Sequence, residues 1–209
     1  MMKNELLLSL DPDTKAIGAA LFKGGTLMHW NVLRSGVDDS IRRIEVLGGL
    51  LWDTYHNLMA QTKVMPEVVI ETPSIHQNAR SGAGLAVYGF AVGRYYEQMH
   101  TASDGNVSGV SVDEWTRDCR SRAGPAGGGA RIMSKVQRAA TVAAEYETYD
   151  PAKDEGSHAA DAIALGAWFV RKREAERAIL AAEELAKRAT KKKRTRKKKA
   201  DRSPVTGAS

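Results

Sequence analysis

The chain alternates between two hydrophobic periods. A first apolar run, NELLLSLD, ends in Asp11. AIGAALFKGGTLMHWNVL predicts two strands on either side of a Gly24-Gly25 hairpin turn. Three strands in close succession predict an antiparallel meander. The period then changes. In DDSIRRIEVLGGLLWDTYHNLMAQTK the apolar residues Ile41, Ile44, Leu47, Leu51, Tyr55 and Leu58 are spaced three and four apart. That spacing predicts one buried face of a helix over 38–62, despite Gly48-Gly49. Pro66 opens PEVVIE, a buried strand that ends in Glu71. SGAGLAVYGFAVGRYYEQM reads as a helix of small residues able to pack closely on a sheet. NVSGVSVD predicts a fifth strand, followed by a short helix around Trp115. RAGPAGGGAR, at 122–131, is too glycine-rich to hold one conformation. IMSKVQRAATVAAEYE predicts another helix and DPAKDEGS a loop. The last helix begins near Ser157 and could continue through REAERAILAAEELAKRA, where Arg or Lys and Glu interleave on an exposed face. These elements predict a mixed five-stranded α/β sheet with helices on its faces.

Composition narrows the setting. With 209 residues and 43% apolar content, the chain can build one cored domain with appendages. No apolar run approaches the ~18 residues of a membrane span. The start MMKNELLLSLD is too short and too soon acidic for a signal peptide. A single cysteine, Cys119, excludes an internal disulfide and fits a reducing cytoplasm. No Cys/His set has zinc spacing, and no internal repeat is present.

The net charge of +6 conceals an asymmetry. Residues 171–209 hold 15 basic residues against 5 acidic ones, a net of +10, whereas residues 1–170 hold 16 against 20, a net of −4. The basic excess lies chiefly in KKKRTRKKK at 191–199. The expected organisation is a domain at 1–170, a helical extension at 171–190 and a disordered basic tail at 191–209. A block of like charge repels itself, and nucleic acid is its natural partner; a solubility tail or localisation signal is the alternative.

The candidate chemistry lies in carboxylates. Asp11 and Glu71 each end a predicted strand, where α/β sheets place ligands. Adjacent strands lie ~4.8 Å apart, so neighbouring strands would bring both acids to one small site. Acids gathered there repel one another and call for a cation. Oxygen donors favour Mg²⁺ or Mn²⁺. Two such ions suit phosphodiester hydrolysis, one activating water and the other stabilising the leaving oxygen. In GSHAADAIALGAWFV, Ser157 is a candidate N-cap, which puts His158 and Asp161 at the first and fourth helical positions. Spaced i, i+3, they share a face. They could complete the metal site, or His158 could move protons for the attacking water. Alternatively, an acid in a first turn simply complements the helix dipole.

LLLSLDPDTKAIGAALF, VVIETPSIHQNARSGAGLAVYGFAVG, GGGARIMSKVQRAA and SHAADAIALGAW resemble the four blocks of RuvC-type Holliday-junction resolvases. That resemblance covers roughly residues 4–170. It implies a ribonuclease H-like fold and a dimeric, metal-dependent endonuclease that resolves four-way DNA junctions by paired cuts. Asp11 matches the family's first-strand aspartate, Glu71 its fourth-strand glutamate and Asp161 the last aspartate of its final block. His158 falls where the family uses aspartate or histidine. Lys135 matches a lysine that faces DNA phosphates. The chain departs from the pattern at Asp13, where the family often has glycine, and at Thr72-Pro73-Ser74-Ile75-His76, where it often has an aromatic wedge. Ile75 or His76 could take the wedge's place. A short chain with a basic extension also fits a bacteriophage that resolves branched DNA before packaging.

Arg117, Arg120, Arg122, Arg131, Lys135 and Arg138 place six positive charges against Asp118 around the glycine-rich loop. With Arg80, they are the expected DNA contacts, since a flexible loop flanked by cations suits a phosphate backbone. GPAGGGAR does not have the spacing of a nucleotide phosphate loop, and GAGLAV lacks the third glycine of a dinucleotide-binding turn. An actin-like ATPase would need a second phosphate-gripping hairpin, which is missing. Two alternatives stay open: a related nuclease acting on forks or RNA–DNA hybrids, and a non-catalytic nucleic-acid-binding protein.

Overall fold

The computed structural model describes the backbone of residues 5–73, 82–120 and 134–200, and their side chains except at 82–83, 118–120 and 189–200. The candidate wedge residues Ile75 and His76, and Arg80, Arg122, Arg131 and residues 201–209, lie outside the described residues, as does the side chain of Arg120.

Three antiparallel strands open the chain: β1 (Leu6–Pro12), β2 (Ala16–Lys23) and β3 (Thr26–Arg34). Gly24 and Gly25 both have positive φ, 55° and 86°. A two-residue hairpin turn of matching twist demands that conformation. Helix α1 (Ser40–Thr62) follows, capped by Asp39, whose carboxylate accepts from the Arg42 amide at 2.8 Å. β4 (Glu67–Thr72) then inserts parallel to β1, α2 (Gly82–Ala102) crosses back, and β5 (Val107–Ser111) pairs parallel to β4. The sheet order is β3-β2-β1-β4-β5, the mixed five-stranded sheet that the sequence pattern predicts. Among the described residues, α3 (Val112–Arg120), α4 (Lys135–Glu145), a short 3-10 turn at Pro151–Lys153 and α5 (His158–Ala200) follow.

Strand alternation divides the sheet's side chains between two layers. Leu8, Leu10, Ile17, Val68 and Ile70 join Ile44, Leu47, Leu51 and Tyr55 of α1 and Ala91, Tyr95 and Met99 of α2 in one core. Ile41, expected on that face, is instead 47% exposed, because it lies in the first turn before α1 reaches the core. A Cβ at Gly48 would lie 2.5 Å from the Gln98 amide oxygen, so the glycine lets α1 and α2 approach closely.

The opposite face of β1 and β2 is covered by the start of α5. A Cβ at Gly18 would lie 2.0 Å from the His158 carbonyl oxygen, and one at Gly166 would lie 2.4 Å from the Phe22 ring. The helix therefore rests almost directly on strand backbone. Ala159, Ala160, Ala162, Ile163 and Leu165 are fully buried along this contact.

The chain divides into two compact units, Met1–Phe169 and Val170–Ser209. In the second, α5 runs without a break to Ala200. Residues 191–200 continue that helix. Lys, Arg and Ala are all strong helix formers, and the preceding turns supply the nucleus that an isolated basic segment would lack. Among the described residues, no helix is long and apolar enough to cross a membrane.

Candidate active site

Asp11 and Glu71 follow immediately after the last paired positions of two adjacent parallel strands, Leu10 of β1 and Ile70 of β4. Leu10 and Ile70 point into the core, so alternation turns the next residue on each strand toward the α5 side. Both acids are buried, at 6% and 8% exposure.

The first turn of α5 supplies the facing groups. His158 Nδ1 lies 3.1 Å from Asp11 Oδ2, and its Nε2 lies 4.0 Å from Asp13 Oδ2. Asp161, one turn on and 3% exposed, faces α4. Ser157, the expected cap, gives the first turn its carbonyl, which accepts from the Asp161 amide at 3.1 Å, while the side-chain capping comes from elsewhere. Ser157 has a left-handed φ of 58°, and the helix amides go to Asp154 instead. The Asp154 carboxylate accepts from the Ala159 and Ala160 amides at 3.1 and 2.9 Å and from the Tyr149 hydroxyl at 2.9 Å. Three residues before the expected position, it leaves Ser157 free to make the turn that aims His158 at Asp11.

Each site acid has an internal partner. The Trp115 indole N–H of α3 donates to Glu71 Oε2 at 2.9 Å. Arg138 of α4 grips Asp161 with two bonds, Nε to Oδ1 at 2.6 Å and Nη2 to Oδ2 at 3.1 Å. Lys135 Nζ stands 3.6 Å from Asp161 Oδ2. A capping box between Ser134 and Gln137 secures the α4 turn that carries both cations.

The electrostatics show that the three carboxylates share one field. Burial pushes Glu71 well above the ordinary carboxylate range, and the charges of Asp11 and Asp161 push it further. Burial likewise raises Asp11, opposed by its bond to His158 and reinforced by Asp161. The bond to Asp11 raises the His158 imidazole against the opposing effect of burial. On α2, burial and then the charges of Glu71, Asp11 and Asp13 push the Tyr88 phenol up, so it lies within the field of the same acids.

Among the described residues, no three acidic, histidine or cysteine side chains form a ready-made metal cluster. The donors themselves are nevertheless of the type a hard divalent cation takes. Burial first, and then mutual repulsion, disfavours the ionised forms of Asp11 and Glu71, a penalty that a bound cation would relieve. The set fits such an ion, provided Asp161 exchanges its partner.

Of the four candidate site residues, His158 touches Asp11, Glu71 lies on the strand beside that of Asp11, and the charge of Asp161 acts on both acids. Of the expected DNA contacts, Arg117 is exposed on α3 and the Lys135 side chain is 54% exposed. Arg138 differs: its side chain is 12% exposed and committed to Asp161. Trp115, Tyr88, Asp154 and Gly18 complete the surroundings without having been singled out from the sequence for those roles. Only Gly18 left a visible signal, a glycine inside an apolar strand.

No family model matches the chain, and no curated protein matches it. Two solved structures of Thermus thermophilus RuvC share its fold. One is in complex with a Holliday junction substrate, with a TM-score of 0.55 and 14% identity over 82% of this chain and 96% of that one. The other matches with a TM-score of 0.54 and 16% identity over 81% of this chain and 96% of that one. The fold is thus the mixed α/β fold seen in RuvC.

Proposed function

We propose that this protein is a metal-dependent endonuclease that cuts branched DNA, resolving four-way junctions by paired incisions. The observation that carries the reading is the convergence of Asp11, Glu71 and Asp161, with His158, at the ends of β1 and β4 on a RuvC fold. A neighbour of that fold was solved with a Holliday junction. Three acids beside an imidazole make a poor binding site for a polyanion unless cations mediate. Asp11, Glu71 and Asp161 would hold Mg²⁺ or Mn²⁺, with His158 as a fourth ligand or a proton carrier. Bound there, two ions would supply a lowered water pKa and charge stabilisation on the leaving oxygen. His158, tied to Asp11, is placed to accept a proton beside the acids. Lys135, Arg117 and the basic stretch at 191–199 would meet phosphates, together with Arg80, Arg120, Arg122 and Arg131. The setting is the cytoplasm, where such DNA is processed.

Paired incisions require two active sites, so the active species is a symmetric homodimer. The exposed apolar residues Leu50 and Trp52 of α1 and Phe90 of α2 are candidates for its interface. Light scattering on the full chain should show a dimer, and a monomer with and without junction DNA would count against paired cutting.

The deciding experiment compares four-way, forked, RNA–DNA hybrid and linear substrates with Mg²⁺ or Mn²⁺. Preferential, symmetric cutting of the four-way junction is expected. Equal or better cutting of forks or hybrids would transfer the reading to another nuclease of this fold.

A further inference from the structure

The acid cluster carries its own positive charge, and one side chain supplies most of it. Arg138 takes both oxygens of Asp161 in a forked grip, at 2.6 and 3.1 Å. Lys135, three residues earlier on the same helix face, stands 3.6 Å away. Arg138 is largely withdrawn from solvent, and its guanidinium carbon lies 5.8 Å from the centroid of the Trp115 ring. The same indole donates to Glu71. Glu71 and Asp161 are therefore linked through two α3 and α4 side chains that offer no ligand atom to a metal.

A guanidinium is always charged and offers no lone pair to a metal, so here it balances Asp161 without being able to join a metal's ligands. We propose that Arg138, seconded by Lys135, is the resident counter-cation of the acid cluster and releases Asp161 to an incoming divalent ion. This rests on the metal-site reading above. Arg138 is then a positioning residue with two consequences. It keeps a buried acid compensated in the metal-free protein, and it competes with the metal for Asp161.

The test is calorimetric titration of the full chain with Mn²⁺, with thermal melts at fixed Mn²⁺ in parallel. Arg138→Gln should bind Mn²⁺ about tenfold more tightly, since the competing bonds are gone. It should melt lower than wild type without metal and gain more from its addition. Arg138→Lys keeps the charge but loses the fork, and should fall between the two. Lys135→Gln, at a half-exposed position, should show a smaller gain in affinity with its fold intact. A merely structural role predicts the reverse: looser Mn²⁺ binding as the site loses order. Should Arg138→Gln fail to fold, Arg138→Lys and Lys135→Gln decide on the same criterion. Glu71→Gln separates the two levels. If it binds Mn²⁺ like wild type, the metal-site reading fails and the proposal with it. If it loses binding while neither cation variant gains any, the site stands and the counter-cation role alone is overturned.

Discussion

Two acid-to-amide changes in this one cluster should move stability in opposite directions. Glu71 is raised by burial and by its acidic neighbours, so metal-free folded protein keeps a proton that the unfolded chain has lost. The resulting stabilisation is complete below the ordinary glutamate value of 4.5 and is lost as the pH rises through the raised one. The melting temperature without metal should therefore fall as pH rises from about 4.5 toward neutrality. Glu71→Gln should remove that fall, melt higher than wild type at neutral pH, and abolish cleavage. Asp161→Asn should also abolish cleavage but lower stability by about 1–3 kcal/mol, because Arg138 loses its charged partner. Equal effects on the melts would contradict the pairing seen here.

His158 makes a second residue-scale test. It lies between Asp11 and Asp13, and the bond to Asp11 favours its charged form against burial. His158→Ala should lose about 100-fold or more in cleavage if the imidazole is a ligand or proton carrier. His158→Asp should retain much more, since it also brings an oxygen donor. Wild-type cleavage should decline on acidification as the imidazole protonates, and the aspartate variant should decline less over that range. Two pH–rate profiles that superimpose on wild type would reduce His158 to a first-turn residue.

At the scale of elements, the site depends on how closely α5 rests on the sheet. Gly18 pairs with Asp11 across β1 and β2, and its open side is filled by the His158 backbone. Gly18→Ala puts a methyl group where a carbonyl already sits, and backbone cannot swing aside as a long side chain can. The first turn of α5 must lift, at a cost of about 1–3 kcal/mol. Cleavage should fall further than stability explains, because His158 and Asp161 move with the turn. Melts and single-turnover rates would show this, and unchanged rates would mean the helix start tolerates displacement. The elements themselves were legible from hydrophobic period, and strand-ending acids are an ordinary signal of a site. What stayed hidden depends on contacts between distant segments. Trp115 looks like core filler until its N–H meets Glu71, 44 positions away. Arg138 looks like one of six loop cations until the fold buries it against Asp161. Ser157 has the right chemistry for a cap, but Asp154 reaches the same amides from the preceding turn with two oxygens.

At the scale of the whole molecule, charge is divided along the chain: residues 1–170 are net −4 and residues 171–209 net +10. For an acidic body to act on DNA as proposed, attraction must come from elsewhere, and 191–199 hold eight Lys and Arg residues without an acid among them. Removing residues 190–209 should weaken binding to junction, duplex and single-stranded DNA alike, because phosphate contacts carry no base information. It should also flatten the dependence on salt. Each lost contact lowers the slope of log affinity against log salt by about 0.9 on duplex DNA, so the eight cations at 191–199 could account for at most about 7. Replacing the eight cations with glutamine, a fair helix former, should do the same while retaining the backbone that α5 forms to Ala200. Metal-dependent cleavage at low salt should survive both changes, since Asp11, Glu71, His158 and Asp161 all belong to the unit ending at Phe169. Titrations at several salt concentrations provide the measurement. If truncation leaves the slope unchanged, the basic segment serves solubility or addressing, and the attraction for DNA must come from the cations around the glycine-rich loop.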